Sequence, residues 1–269
     1  MKMDWIGKNA VVTGASRGIG VYIIKALAEK GVSIAGVARS ETGLINAQSI
    51  AVDAGGSFYS FPFDLTRTEK LPELIKSILS TVGKIDFLIN NAGVEQYQYY
   101  HQVPPEDLQS IVRTNLLAPM ELTRVVLGSM LDQGSGHVVN IASLAGKKGV
   151  AYNSIYSATK GGLIQWTDGL RQELVDTPVN ISVICPGYIA EAGMFYDSGG
   201  KPPALLGMSK PEAVAKAVMK ALQNNSSEII VNKGPIRPLL ALGQLSPKLG
   251  DWVVKKFGVP AMSRKRIRS

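Results

Sequence analysis

Tyr156 and Lys160 stand four positions apart in a segment with helical spacing, so both side chains leave one face of that helix. A free tyrosine titrates near ~10 and is a poor base at neutral pH, but a neighbouring ammonium favours its phenolate. That pairing suits proton transfer, with Tyr156 as general acid in one direction and general base in the other. Ser143 lies thirteen positions before Tyr156, and Asn115 lies further upstream. Each residue has an ordinary alternative. An isolated Tyr-x-x-x-Lys is usually a plain helix face, a serine after a strand usually makes a turn or a cap, and an asparagine can simply bond backbone.

A second chemical signal lies near the start, where Thr13-Gly14-Ala15-Ser16-Arg17-Gly18-Ile19-Gly20 follows the first apolar run and leads into a helical pattern. The spacing is Gly-x3-Gly-x-Gly, which is not the G-x-G-x-x-G dinucleotide fingerprint. The physics is shared, because glycines permit a tight turn and a helix N-terminus offers free N–H groups and a positive dipole end to a pyrophosphate. About twenty residues on, where a carboxylate would select NAD, the chain reads Val37-Ala38-Arg39-Ser40 and carries no acid. Arg39 and Arg17 instead suit a 2′-phosphate held by charge-assisted hydrogen bonds, which points to NADP. The bland alternative is two solvated arginines. Asp64 sits where it could accept from an adenine amino group or cap the following segment.

These residues require a scaffold that brings them together. Short β-rich runs recur at 9–13, 33–38, 57–61, 87–90, 137–141, 180–185 and 228–231. Amphipathic helical patterns lie between them, as at 19–30 and 211–222. Such alternation predicts an α/β fold with a doubly wound parallel sheet, helices on both faces and strands buried on both sides. The stretch 188–208 holds Gly193, Gly199, Gly200, Pro202, Pro203 and Gly207 and has the composition of a mobile loop over a site.

In order and spacing, these motifs resemble the short-chain dehydrogenase/reductase family from about residue 9 to 231. Asn90-Asn91-Ala92-Gly93 and Pro186-Gly187 complete the likeness. The resemblance implies a Rossmann fold, hydride transfer between NADP(H) and a carbonyl or alcohol substrate, and a homo-oligomer, dimer or tetramer. It implies Tyr156 as acid and base, aided by an oxidised nicotinamide that favours the phenolate. Lys160 would also hold the nicotinamide ribose, Ser143 would bond the substrate oxygen, and Asn115 would support a water relay to the lysine. Cofactor contacts are implied for Gly14, Ser16, Arg17, Gly18, Ile19, Gly20, Arg39, Asp64, Leu65, Asn91, Ala92, Gly93, Pro186, Gly187 and Ile189, as well as Tyr156 and Lys160. Asn90 and Asn91 would mainly stabilise the central strands. Glu191 departs from the pattern, because the family often has a threonine there to contact the carboxamide. The glutamate would either replace that contact or face solvent.

Of 269 residues, 45% are apolar and 19% charged, which excludes disorder and collagen-like repeats. No run reaches the ~20 apolar residues of a membrane span, and the start lacks a secretory leader's apolar stretch. With the single cysteine, this leads us to expect a cytoplasmic protein. Cys185 reads as a small packed residue, and His101 and His137 have no metal-ligand spacing, so no metal site is expected.

The net charge of +8 resides entirely in 233–269, which has nine basic residues and one acid, while 1–232 is formally neutral. The chain therefore divides into a catalytic domain, 1–232, and a basic, partly apolar extension, 233–269. Leucines and Trp252 beside lysines and arginines suit a peripheral membrane contact better than a nucleic-acid arm, so no nucleic acid is expected. Packing on the core or on a second subunit is the equal alternative. An apolar tail near the loop would favour a lipid-like substrate, either a long acyl chain or a steroid-like ketone. The competing class is a regulatory protein that senses NADP(H) or docks through its tail, but a pure sensor has no chemical need for Tyr156 with Lys160.

Overall fold

The structure, a computed structural model, describes residues 4–197, 202–203 and 206–267. Gly199 and Gly200 of the expected loop, and Arg268 of the tail, lie outside the described residues.

Seven strands form one parallel sheet: β1 (Asn9–Thr13), β2 (Ser33–Ala38), β3 (Ser57–Pro62), β4 (Phe87–Asn90), β5 (Gly136–Ile141), β6 (Val179–Pro186) and β7 (Glu228–Val231). Their order is β3-β2-β1-β4-β5-β6-β7, so the winding reverses between β1 and β4. All four residues of β4 are buried, as expected for a strand covered on both faces. A ligand crevice belongs at the carboxyl ends of the strands beside such a reversal.

One face is covered by α1 (Ile19–Ala28), α2 (Glu41–Asp53) and α8 (Pro211–Asn224). There Ile23, Ile24 and Leu27 share a buried cluster with Val214, Val218 and Ala221. On the other face lie α3 (Leu71–Val82), α4 (Pro105–Val112), α5 (Ala118–Asp132) and α6 (Ser154–Glu173). Ile75, Ile78, Leu122 and Val126 pack on Leu88 and Val138 of the sheet. Between α4 and α5 the chain makes a π-helical turn, Arg113–Leu117, that the spacing of apolar residues does not announce. Helix α1 ends earlier than the periodicity predicts, because Lys30 and Gly31 turn back onto Leu27 and Ala28 to enter β2.

After β6 comes the short α7 (Met194–Asp197), and after β7 come α9 (Ile236–Leu245), α10 (Pro247–Lys256) and α11 (Val259–Arg264). Pro247 and Pro260 of the tail occupy first-turn positions of α10 and α11, where no intrahelical N–H is lost. The helices pack on the core. Lys148 pairs with Asp251 at 2.6 Å, and Arg264 donates to the Tyr99 hydroxyl at 3.1 Å. Among the described residues, no helix is long and apolar enough to cross a membrane.

Candidate active site

The turn from β1 into α1 is fixed from two sides. A Cβ at Gly20 would collide with the Gly14 carbonyl oxygen, so glycine alone lets the helix begin this close to the strand. Asn91, just past β4, donates from Nδ2 to the carbonyls of Thr13 and Gly14 at 3.0 and 3.2 Å. The Thr13 hydroxyl accepts from the N–H groups of Asn91 and Ala92. The glycine turn and the end of β4 are therefore one rigid unit. Asn90 serves the sheet as expected, donating to Asn140 Oδ1 at 2.9 Å.

A cavity of about 170 Å³ opens on this unit, and Gly14, Ser16, Arg17, Gly18, Ile19, Arg39, Asp64, Leu65, Asn91, Ala92 and Gly93 line it. Both arginines lie at its surface. Arg17 is within 3.7 Å of Asp197 in α7, an exposed pair that holds neither group firmly. Asp64 caps a turn rather than a helix, accepting from the Thr66 N–H at 3.0 Å, and still lines the cavity.

The second cavity, of about 220 Å³, shares Ile19, Asn91, Gly93, Gly193 and Met194 with the first and continues it past the ends of β4, β5 and β6. Ser143, Tyr156, Lys160, Pro186, Gly187 and Ile189 line it. A Cβ at Gly146 would run into the backbone of Lys160. That close approach brings the turn carrying Ser143 against α6, and the Ser143 hydroxyl hydrogen-bonds that of Tyr156. Ser143 also accepts from the Ala145 N–H at 3.1 Å, so it is both cap and site residue.

Lys160 is buried and donates to the Ile141 carbonyl at 2.8 Å, with its Nζ 5.7 Å from the centre of the Tyr156 ring. Burial lowers its pKa to about 8. The Tyr156 hydroxyl is held well above the usual tyrosine range, by burial first and by the Glu95 carboxylate second, with Ser143 and Arg266 acting in the opposite direction. Burial thus favours the protonated hydroxyl of Tyr156 in the protein alone.

Asn115, in the π-helical turn, accepts from the Val94 N–H and donates to the Val94 carbonyl, both at 2.8 Å. It thereby fixes the chain after Gly93, beside which its Oδ1 and the Lys160 ammonium both lie. Glu191 does not enter the site. It adopts a left-handed conformation, φ 66°, and its side chain lies at the surface within 3.6 Å of Lys210. Cys185 is fully buried, and burial pushes its thiol up to about 12, so it is no nucleophile. No group of His, Cys, Asp and Glu among the described residues is arranged to hold a metal ion.

The sequence gives no warning of the opposite wall. Glu95 and Tyr97, after β4, and Arg266, beyond α11, form a buried cluster on this cavity. Arg266 pairs with Glu95 at 2.7 Å and bonds the Tyr97 hydroxyl, while Asn153 donates to Glu95 at 3.0 Å. Its guanidinium lies 4.0 and 4.9 Å from the ring centres of Tyr97 and Phe195. Ile236, Leu240, Val254 and Val259 of the tail helices line the same cavity. The extension, for which packing on the core and a membrane contact are equal expectations, thus supplies part of the wall of this cavity.

Residues 8–200 match the short chain dehydrogenase family. The chain is 50% identical over 268 residues to the ketoacyl reductase HetN of Nostoc sp., covering 98% of this chain and 93% of that one. It is 34% identical to the 3-oxoacyl-acyl-carrier-protein reductase FabG of Vibrio cholerae, over 70% of this chain and 75% of that one. Among solved structures, a metagenomic short-chain oxidoreductase in complex with NADP superposes with a TM-score of 0.73 at 30% identity, over 85% of this chain and 98% of that one. An NAD+-bound xylitol dehydrogenase superposes with a TM-score of 0.76 at 25% identity, over 86% of this chain and 100% of that one. The family match spans the glycine turn, Asn115, Ser143, Tyr156 and Lys160, and the chain belongs to the short-chain dehydrogenase family of oxidoreductases.

Proposed function

We propose that this protein is an NADPH-dependent reductase of 3-oxoacyl substrates, converting the ketone to the 3-hydroxy compound. The observation that carries the reading is the pairing of the Ser143 and Tyr156 hydroxyls at the polar end of a cavity that is otherwise largely apolar. The names of the HetN and FabG relatives support the substrate class. Arg17 and Arg39, with no carboxylate at the end of β2, support NADPH over NADH.

NADPH, held by the glycine turn with Arg17 and Arg39, would supply a hydride to the carbonyl carbon. Tyr156 gives its proton to the carbonyl oxygen, and Ser143 donates a hydrogen bond to the same oxygen. A hydroxyl held protonated by burial suits this direction, since it enters the reaction as an acid. The Lys160 ammonium stabilises the tyrosinate left behind, and the N–H groups it does not give to Ile141 are available to ribose hydroxyls.

The test is NADPH oxidation in the presence of 3-oxobutanoyl-N-acetylcysteamine, with Tyr156→Phe as control. Turnover by the wild type and a loss of about 100-fold or more in the variant are expected. Full activity of Tyr156→Phe would remove the mechanism.

A second reading concerns the outer face of the extension. Leu245 and Trp252 are exposed there, with Lys256 stacked 4.7 Å over the tryptophan ring. That combination favours peripheral contact with an anionic membrane surface. Co-sedimentation with phosphatidylglycerol vesicles, lost in Leu245→Glu/Trp252→Glu, would support it; equal recovery of both proteins in the supernatant would dismiss it.

A further inference from the structure

We propose that the C-terminal extension builds a subsite for the distal end of an unbranched aliphatic chain, entered from the catalytic cavity and enclosed by α9, α10 and α11. The inference rests on the reading of the protein as a 3-oxoacyl reductase and adds where the acyl chain goes.

The catalytic cavity is polar where Ser143, Tyr156 and Lys160 stand, whereas Leu206, Ile236, Leu240, Val254 and Val259 make an apolar wall. Those same five residues also line a second chamber of about 80 Å³, completed by Leu239, Gly243, Gly250, Val253 and Phe257. The shared wall makes the chambers neighbours, so an acyl chain whose carbonyl meets Tyr156 would reach the far chamber by displacing only apolar side chains. Among the described residues, the only charged ones lining the far chamber are Lys147 and Lys148, and their ammonium groups are paired with Glu228 and Asp251. Their aliphatic stems therefore complete the lining without an unpaired charge.

Helices α9 and α10 meet where Gly243 faces Gly250, and a methyl on Gly250 would lie 2.8 Å from the Gly243 Cα. The chamber lies beside this contact, which fixes the spacing of the two helices that line it. A chamber lined this way is dry when empty and accepts apolar guests. Its size admits the last few carbons of a linear chain and is too small for a fused ring system, which favours the acyl over the steroid-like shape for this subsite.

The experiment measures kcat/KM for NADPH-dependent reduction of 3-oxoacyl-N-acetylcysteamine thioesters of increasing length, from 3-oxobutanoyl to 3-oxotetradecanoyl. The wild type is expected to gain about fourfold per added methylene while the chain enters the chamber, then to level off. Val253→Phe, which fills the far wall, should abolish the gain for long chains and leave 3-oxobutanoyl turnover unchanged, which also certifies its fold. Phe257→Ala, which enlarges the chamber, should move the plateau to longer chains. Equal kcat/KM at every length in the wild type would overturn the subsite while leaving the reductase reading intact. An equal loss at all lengths in Val253→Phe, with the Phe257→Ala plateau unmoved, would overturn it as well. Failure to reduce any member of the series, short or long, would instead sink the functional reading, and the inference with it.

Discussion

Arg266 and Glu95 form an ion pair at 2.7 Å in which the two side chains are only 5% and 13% exposed, joining the end of the tail to the segment after β4. The guanidinium also bonds the Tyr97 hydroxyl and, at 3.4 Å, the Met194 carbonyl in α7, while its Nε is buried without a hydrogen-bond partner. A single cation therefore holds three segments around the substrate cavity.

A buried pair of this kind is costly to break from one side, because the partner left behind keeps its desolvated charge. Arg266→Met is expected to lower unfolding stability by about 3 kcal/mol, and Glu95→Gln in the same chain should recover a substantial part of that loss. Urea denaturation of the two single variants and the double variant measures the coupling. Strictly additive effects would mean that the pair does not hold the tail.

Arg39 is exposed at the rim of the glycine-turn cavity, at the end of β2, and forms no ion pair among the described residues. A charge-assisted hydrogen bond to a 2′-phosphate contributes about 1.5–3 kcal/mol. Arg39→Ala should thus weaken NADPH binding by about 10- to 100-fold and change NADH binding little. Fluorescence titration with both cofactors reads the difference, and parallel losses would remove the phosphate contact.

Burial puts the Lys160 ammonium near a pKa of about 8. Below that pH the lysine carries the charge that stabilises the tyrosinate; above it the charge is lost. Reduction should fall as pH rises through about 8, and Lys160→Met should be slow and lack this alkaline limb. A pH–rate profile for kcat/KM is the measurement, and an unchanged limb in the variant would assign it to another group.

His137 on β5 is buried against the Ser182 hydroxyl of β6 at 2.8 Å, and burial lowers its pKa to about 4. The unfolded chain takes up this proton near pH ~6.5, before the native protein does, so stability is lost as pH falls from there toward 4. The expected loss from this group by pH 4 is about 3 kcal/mol. Unfolding free energies at neutral and acidic pH should show a smaller acid loss in His137→Gln than in the wild type.

The fold was open to reading from local chemistry because central strands such as Phe87–Asn90 are buried along their length and helices such as α3 carry one apolar stripe. The predicted strands agree with the structure to within a residue at either end. Such patterns arise where burial is uniform along an element. The tail lacks that uniformity. Leu245 is 84% exposed while Val253 is 9% exposed, so its composition equally suits solvent, membrane or core.

The sequence by itself determined the scaffold and the candidate reacting groups we propose: the glycine turn, Ser143, and Tyr156 with Lys160 are tied to elements whose spacing is local. Only the tertiary structure decided three further matters. Glu191, in a left-handed backbone conformation, lies exposed beside Lys210 and does not line the cavities. Tyr156 is held protonated, because burial depends on everything packed around it. The tail closes the substrate cavity through Arg266 and Glu95, which are 171 positions apart. Pairing over such a separation leaves no periodic trace, since neither residue's neighbours in sequence carry any sign of the other.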